Sequence, residues 1–199
     1  MAYEQERPDV IAKRQAFIEL QPSLDPTRLV FVDESGYRLG SPPRHGWAPR
    51  GDDSVGYGVH GKWEMVTMLG AIALDGFRGF MTIDAGTSSE VFEAFVAHQL
   101  VPNLRARDIV VMDNLRAHKN AAVRSLIEAS GCELLFTPPY SPEFNPIEEA
   151  WAKLKDLIRR AETRTRDAFD SAVAHAMNAV RKADIFGWFN YAGYGLSSG

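Results

Sequence analysis

The sequence predicts an α/β fold: a mixed sheet, built from an antiparallel three-strand meander plus parallel strands, flanked by helices. Three observations point to it. Residues 28–33 (RLVFVD) and 108–113 (DIVVMD) are short continuous apolar runs, the pattern of strands buried on both faces. Asp75-Gly76 is a hairpin signal between two stretches rich in Gly and β-formers, 57–74 and 77–84. Beyond Asp84 the apolar residues adopt helical spacing, and helices then alternate with strands.

In chain order, residues 4–20 read as a short helix with Val10, Ile11, Phe17, Ile18 and Leu20 apolar, before Pro22 and Pro26 break the chain. The run 28–33 is expected to end at Glu34-Ser-Gly and to pass into a Gly/Pro-rich loop, 40–51. Thr87 and Glu90 fit a capping box for a helix carrying Val91, Phe92, Phe95, Val96 and Leu100. A strand over 108–113, a helix over 119–130 stopped by Gly131 and a strand over 133–137 follow. After the stiff Pro138-Pro139-Tyr140-Ser141-Pro142 loop, Asn145 and Pro146 read as the N-cap and first position of a strong helix. Its apolar face is Ile147, Ala150, Trp151, Leu154, Leu157 and Ile158, and a further helix is expected over 166–182. Residues 1–27 thus form an N-terminal helix and linker, 28–182 the main domain, and 183–199 an aromatic, Gly-rich tail. The tail aromatics (Phe186, Trp188, Phe189, Tyr191, Tyr194) suit a core or an interface better than a base-stacking platform.

Composition narrows the class. The 199 residues are 45% hydrophobic and 24% charged, which excludes disordered, collagen-like and coiled-coil chains. A chain of this length buries roughly 70% of its unfolded surface and supports a core without staples. One cysteine, Cys132, excludes an intrachain disulfide framework and Cys-based zinc sites. The longest apolar run, 66–74, is about half a membrane span, and the charged N-terminus lacks a signal peptide's apolar stretch. The expectation is a soluble cytoplasmic protein without a membrane partner.

The net charge of −4 is unevenly spread. Residues 1–100 hold 9 Lys/Arg against 14 Asp/Glu, whereas 101–199 hold 13 against 12. Residues 151–182 alone carry 8 basic side chains against 4 acidic ones, a bias that permits a polyanionic partner or simply makes a solvated face.

Three acids stand out by position. Asp33 and Asp113 end the two apolar strands, where ligand sites of α/β sheets gather, and Glu148 lies in the first turn of the helix after the Pro-Pro loop. Oxygen-only clusters suit Mg²⁺ or Mn²⁺. Two such ions about 3.5–4 Å apart clamp the attacking and leaving oxygens of a phosphodiester displacement. Without metal, three like charges repel and one holds its proton toward neutral pH. Each acid also has a plain structural role open to it: turn former for Asp33 and Asp113, capping carboxylate for Glu148. Neighbouring Glu34, Asp108 and Glu149 are alternative recruits.

The segments FVDES, GWAPRG, VVMDNLRAHK and TPPYSPEFNPIEEAWAKLK, in that order, resemble the DDE endonuclease (catalytic) domain of bacterial insertion-sequence transposases related to the mariner superfamily. The resemblance covers residues 28–158 and implies an RNase H-like fold. It places the catalytic and metal-binding acids on Asp33, Asp113 and Glu148. The 34 residues between the last two are typical of that superfamily and favour Glu148 over Glu149. Asn114 and His118 share the second motif, Asn114 as a group orienting Asp113 or a phosphate and His118 as one that reaches the scissile phosphate or transfers a proton. Helix capping or pairing with a nearby acid is the alternative for His118; Glu34 and Glu149 stand beside the triad. DNA contacts fall on Trp47 and Arg50 of the GWAPRG loop, and on Lys119, Tyr140, Lys153 and Lys155.

The activity implied is metal-dependent DNA cleavage followed by strand transfer, cut-and-paste transposition with two Mg²⁺ or Mn²⁺ ions and a TA target. Transposon ends and target DNA are the implied partners, bound by a homodimer in the cytoplasm and at the nucleoid. Two alternatives stay open: a non-catalytic DNA- or protein-binding relic or regulator, and a stand-alone RNase H-like nuclease. Such transposases carry helix-turn-helix modules ahead of the catalytic domain, and 27 residues before the first strand are too few for one. The expectation is therefore a split reading frame or a truncated element, with a separate helix-turn-helix DNA-binding protein as partner.

Overall fold

Side chains of a strand point alternately to its two faces, and in the two apolar strands this alternation divides the protein into two cores. The computed structural model describes residues 6–41, 50–51, 64–84, 86–114 and 120–195. Its sheet holds β1 (Leu29–Arg38), β2 (Met65–Ala73), β3 (Gly76–Ile83), β4 (Ile109–Met112) and β5 (Glu133–Phe136) in the order β3-β2-β1-β4-β5. β3, β2 and β1 pair antiparallel; β4 runs parallel to β1, and β5 parallel to β4. This is the expected mixed sheet.

Leu29 and Phe31 of β1, with Ile109 and Val111 of β4, face one core. That core is closed by α4 (Ile147–Arg160), α5 (Arg166–Asn178), α6 (Lys182–Tyr191) and Phe17 of α1 (Pro8–Leu20). Val30, Val32, Val110 and Met112 face the other core, under α2 (Ser89–Phe95), its π-helical continuation Val96–Leu100, and α3 (Ala121–Ala129). By the same alternation Asp33 and Asp113 share the face that α4 covers, and Glu34 lies on the opposite one.

Several element boundaries differ from expectation. β1 does not stop at Glu34-Ser-Gly but runs on to Arg38, because β2 pairs with it residue by residue as far as Met65, beyond the end of β4. Ala73 pairs with Gly76, so the hairpin turn is Leu74-Asp75; Gly76, at φ 140°, opens β3, and Arg78 grips both carboxylate oxygens of Asp75. The cap of α2 is Ser88, whose hydroxyl accepts from Val91 N, rather than Thr87. α1 buries only Val10 and Phe17 and leaves Ile11, Ile18 and Leu20 exposed. The helix expected over 166–182 is two helices in part: α5 ends at Asn178, and Arg181 caps a separate α6.

That tail helix belongs to the same core as the sheet. Phe189 and Tyr194 close on Phe31 at 5.3 and 4.9 Å between ring centroids, while Phe186 and Tyr191 remain exposed. Asp184 secures the helix start: its carboxylate accepts from Arg181 N at 2.8 Å and from Lys153 Nζ at 2.6 Å. The Lys153 hydrogen bond and that amide hold its pKa down, from 3.8 to about 2. A depressed carboxylate stabilises the fold above its unfolded pKa and loses that contribution as pH falls through the folded one. Asp184→Asn is therefore expected to cost about 1 kcal/mol at neutral pH, the usual worth of a helix cap, in urea unfolding. The gap should close as the pH is taken from 4 toward 2; a pH-independent gap would refute the assignment.

Candidate active site

The parallel pairing of β1 with β4 ends at Val32 opposite Met112, so the next residues of the two strands, Asp33 and Asp113, emerge side by side. Both line a cavity of about 340 Å³ together with Asn114, the segment from Thr137 to Pro142, Asn145 and Glu148. Asp33 is 7% exposed and Asp113 half-buried, whereas Glu148 stands exposed at the rim.

Each acid is held differently. Asp33 Oδ1 accepts from Glu34 N at 2.8 Å, and its Oδ2 accepts from Asn145 Nδ2 at 3.3 Å. Asn145 in turn accepts from Ile147 N through Oδ1 at 3.4 Å, and its carbonyl accepts from Glu148 N at 3.1 Å. This buried amide therefore ties the carboxylate on β1 to the first turn of α4. Its extended conformation precedes a helical Pro146, as a capping residue requires. Glu148 and Glu149 both sit in that first turn, where the helix dipole favours negative charge. Loss of hydration nonetheless raises the Glu148 pKa; Asp113 and Glu149 raise it further, and Lys155 opposes them. Solvent at the rim screens these charges, so the crowding costs little stability.

α4 is seated by Ile147, Ala150, Trp151, Leu154 and Ile158. Trp151, one turn beyond Glu148, lies over Gly70 of β2, the residue that pairs with Asp33. A Cβ on Gly70 would stand 2.7 Å from the Trp151 indole, so this close approach sets the height of α4 above the sheet.

The loop before α4 is gripped from both ends of the chain. Arg14 of α1 donates to Ser141 Oγ at 2.7 Å and to the Tyr140 carbonyl at 3.4 Å. It also pairs with Glu143 and lies 5.6 Å from the Phe144 ring centroid. Tyr194 donates its hydroxyl to the Phe144 carbonyl at 2.8 Å. Within the loop Tyr140 is half-exposed and held at φ 56°, a conformation that costs a side-chain-bearing residue about 1 kcal/mol. Arg14→Ala is expected to lower stability by about 2 kcal/mol, as an ion pair and a bond to buried Ser141 are lost together. Faster proteolysis within the 138–144 loop should accompany the loss. Arg14→Lys keeps the charge but not the forked geometry and should recover less than half; full recovery would reduce the role of Arg14 to charge alone.

The other predicted residues are dispersed. Asn114 and Tyr140 line the cavity; Glu34, Glu149 and the exposed Arg50 do not. Lys153 is taken up by Asp184, whereas Lys155 acts electrostatically on Glu148. Asp108 is buried at the start of β4, accepting from Arg105 N at 2.8 Å. Trp47, His118 and Lys119 lie outside the described residues. Sequence reasoning read Asn145 only as a cap and missed Arg14 and Gly70. Asn145 alone had a local signal, the Asn-Pro helix start.

The donor chemistry around the cavity is carboxylate and amide oxygen, the set preferred by Mg²⁺ and Mn²⁺. Among the described residues, no three His, Cys, Asp or Glu side chains are gathered closely enough to hold a metal ion. Two strand-borne acids with a third on the rim of the same pocket fit such an ion in kind, and they line one cavity without forming a cage.

A mixed sheet with two strand-borne carboxylates near its centre and a third acid on the covering helix is the frame of the candidate site. The family model for DDE superfamily endonucleases matches residues 28–170, and the chain belongs to that family. No curated protein matches it. Its fold is similar to that of a Mos1 transposase paired-end complex with the left transposon end: TM-score 0.76, 15% identity, 98% of this chain and 61% of the other. The Mos1 mariner paired-end complex with Mn gives TM-score 0.73 at 15% identity, covering 92% and 59%. The isolated catalytic domain of Mos1 mariner transposase gives 0.68 at 13%, covering 96% and 89%. At these identities the likeness is one of fold, and the chain spans about three fifths of the Mos1 chains in the complexes. Among the described residues, no helix is long and apolar enough to cross a membrane.

Proposed function

We propose that this chain is the catalytic domain of a transposase that cleaves DNA and transfers the freed strand, using Mg²⁺ or Mn²⁺. The observation that carries this reading is the shared pocket: Asp33 and Asp113 leave adjacent parallel strands on the face covered by α4, whose first turn brings Glu148 to the same cavity. Asp33, Asp113 and Glu148 would hold the metal, two ions in the full reading, which when bound supplies an activated water and neutralises charge at the phosphodiester. The rest falls to the chain's own groups. Asn145 fixes Asp33 relative to α4, and the loop from Pro138 to Pro142 walls the site. Tyr140 presents an exposed ring on which a base stacks, and Lys155, beside Glu148, and the exposed Arg50 would meet phosphates. His118, Lys119 and Trp47 complete the proposed set from sequence.

DNA is accordingly the proposed substrate, as transposon end and as target, processed by a homodimer at the nucleoid. The similar Mos1 structures, which include a paired-end complex with the left transposon end, one with Mn and a strand transfer complex, support that direction.

Calorimetric titration of Mn²⁺ into wild type and Asp113→Ala, with a nicking assay on duplex DNA at low salt, tests it. Binding that the substitution abolishes, together with nicking, is the expected result. Absence of both in the wild type would overturn the enzyme reading and leave a binding relic. Nicking without joined strand-transfer products would reduce the function to that of a nuclease.

A further inference from the structure

Beside the carboxylate pocket lies a second cavity of about 300 Å³, between α1 and the edge strand β5. Asn114, Thr137, Pro138 and Pro139 line both, so the two cavities adjoin across these residues as two halves of one groove. The halves differ in chemistry. The first is built around carboxylates; the second is walled by Ala16, Phe17 and Leu20 of α1 and by Leu135 of β5, with Lys13 the one charged lining residue among the described residues. Leu20 is 40% exposed, an apolar side chain left in water beside this cavity. Lys13 is exposed, and its charge also acts on Asp9 one turn earlier on α1. The wall is also rigidly placed. Arg14, the residue after Lys13, is fastened to Ser141 and Glu143, so α1 cannot drift from the loop that borders both cavities. The groove is therefore preformed, as ligand sites usually are.

We infer that this second cavity is the subsite for an unpaired nucleotide adjoining the scissile phosphate. Its base lies against Leu20, Leu135 and Pro139, and a phosphate of the same strand meets Lys13. The inference rests on the proposed DNA-processing function. A strand whose phosphate sits among Asp33, Asp113 and Glu148 continues along the groove, and the continuation open to it is apolar with a single cation. An apolar wall recognises the face of a base that has left the stack, and an ammonium recognises backbone phosphate. The volume, at the lower limit of small-ligand pockets, holds a nucleotide and not a duplex. Among the described residues, the lining beyond the shared rim holds no side-chain amide or carboxylate to read a base edge, so the subsite should accept any base.

The test compares a blunt hairpin duplex with the same hairpin bearing a four-nucleotide single-stranded overhang, 5-iododeoxyuridine being placed at each overhang position, in Mn²⁺. Photo-crosslinks from the overhang are expected to map to residues 13–20 or 133–136. Lys13→Glu and Leu20→Asp, both at exposed positions, should weaken binding of the overhang hairpin about tenfold, within the range for loss of one base contact. Binding of the blunt hairpin should stay within about twofold. Equal losses on both probes would make Lys13 a general electrostatic contact and overturn the subsite. So would crosslinks confined to Tyr140 and its neighbours, or a change of oligomeric state in Leu20→Asp with overhang affinity intact, the mark of a protein interface. Failure of the wild type to bind either hairpin with Mn²⁺ would instead refute the DNA-processing function itself, and the subsite with it.

Discussion

Asp33→Asn is expected to reduce DNA nicking at least ~10³-fold while moving the thermal midpoint by only a few degrees. The two effects separate because the side chain does different things for fold and for chemistry. For the fold, Asp33 offers an acceptor to Glu34 N and another to Asn145 Nδ2. Asparagine keeps the first and loses the second, a cost of about 1 kcal/mol, against which it no longer buries a carboxylate that is only 7% exposed. In a domain of this size 1 kcal/mol corresponds to about 2–4 °C. For the proposed chemistry, the lost charge is one of three carboxylates available to a divalent cation. An effect of about 4 kcal/mol on the barrier, the order expected when a metal is misplaced, is the stated loss in rate. Mn²⁺ should raise the midpoint of the wild type but not of the variant, since only binding to the folded state stabilises it. Nicking within tenfold of wild type would remove Asp33 from the site; a collapse of the midpoint would make it a structural residue.

The residues whose signals are local were legible in the sequence. β1 and β4 lie at the centre of the sheet and are buried on both faces, so both survive as unbroken apolar runs. Asp33 and Asp113 are the first charges to interrupt those runs, and parallel pairing with matched ends brings them together. Glu148 was visible through the Asn-Pro helix start and its apolar face. What escaped depends on partners distant in sequence. Arg14 meets Ser141 across 127 positions and Asn145 meets Asp33 across 112, separations at which no periodicity or turn chemistry leaves a trace. The length of β1 was misjudged for the same reason: Glu34-Ser-Gly reads as a turn, and only pairing with β2 keeps it extended. In α1, of the five apolar positions that marked a short helix, only Val10 and Phe17 are buried. The surplus includes Leu20 in the groove, which fits a local pattern serving a ligand surface better than one serving the core.

Gly70→Ala shows how such a distant contact should govern the site. Gly70 carries no backbone strain, so in open space alanine would be neutral or would gain about 0.4–1 kcal/mol by restricting the unfolded chain. Here the new methyl would lie 2.7 Å from Cη2 and 3.1 Å from Cζ2 of Trp151. The indole is 2% exposed and has Phe80 at 6.1 Å between ring centroids, so it cannot swing aside as a flexible side chain would. The strain must pass into α4. Overpacking of this kind costs about 1–3 kcal/mol, and it is applied one turn from Glu148, on the strand residue paired with Asp33. Gly70→Ala should therefore lower the urea midpoint and weaken Mn²⁺ binding and nicking together, although Gly70 lines neither cavity. Trp151→Phe removes the two offending ring atoms. In that background the cost of Gly70→Ala should fall to near zero, a coupling of 1 kcal/mol or more in the double-mutant cycle. Additive costs would mean that the sheet absorbs the methyl without moving α4. Weakened metal binding with an unchanged urea midpoint would show that the helix shifts at no cost in stability, and the height of α4 would then be set by something other than the contact between Trp151 and Gly70.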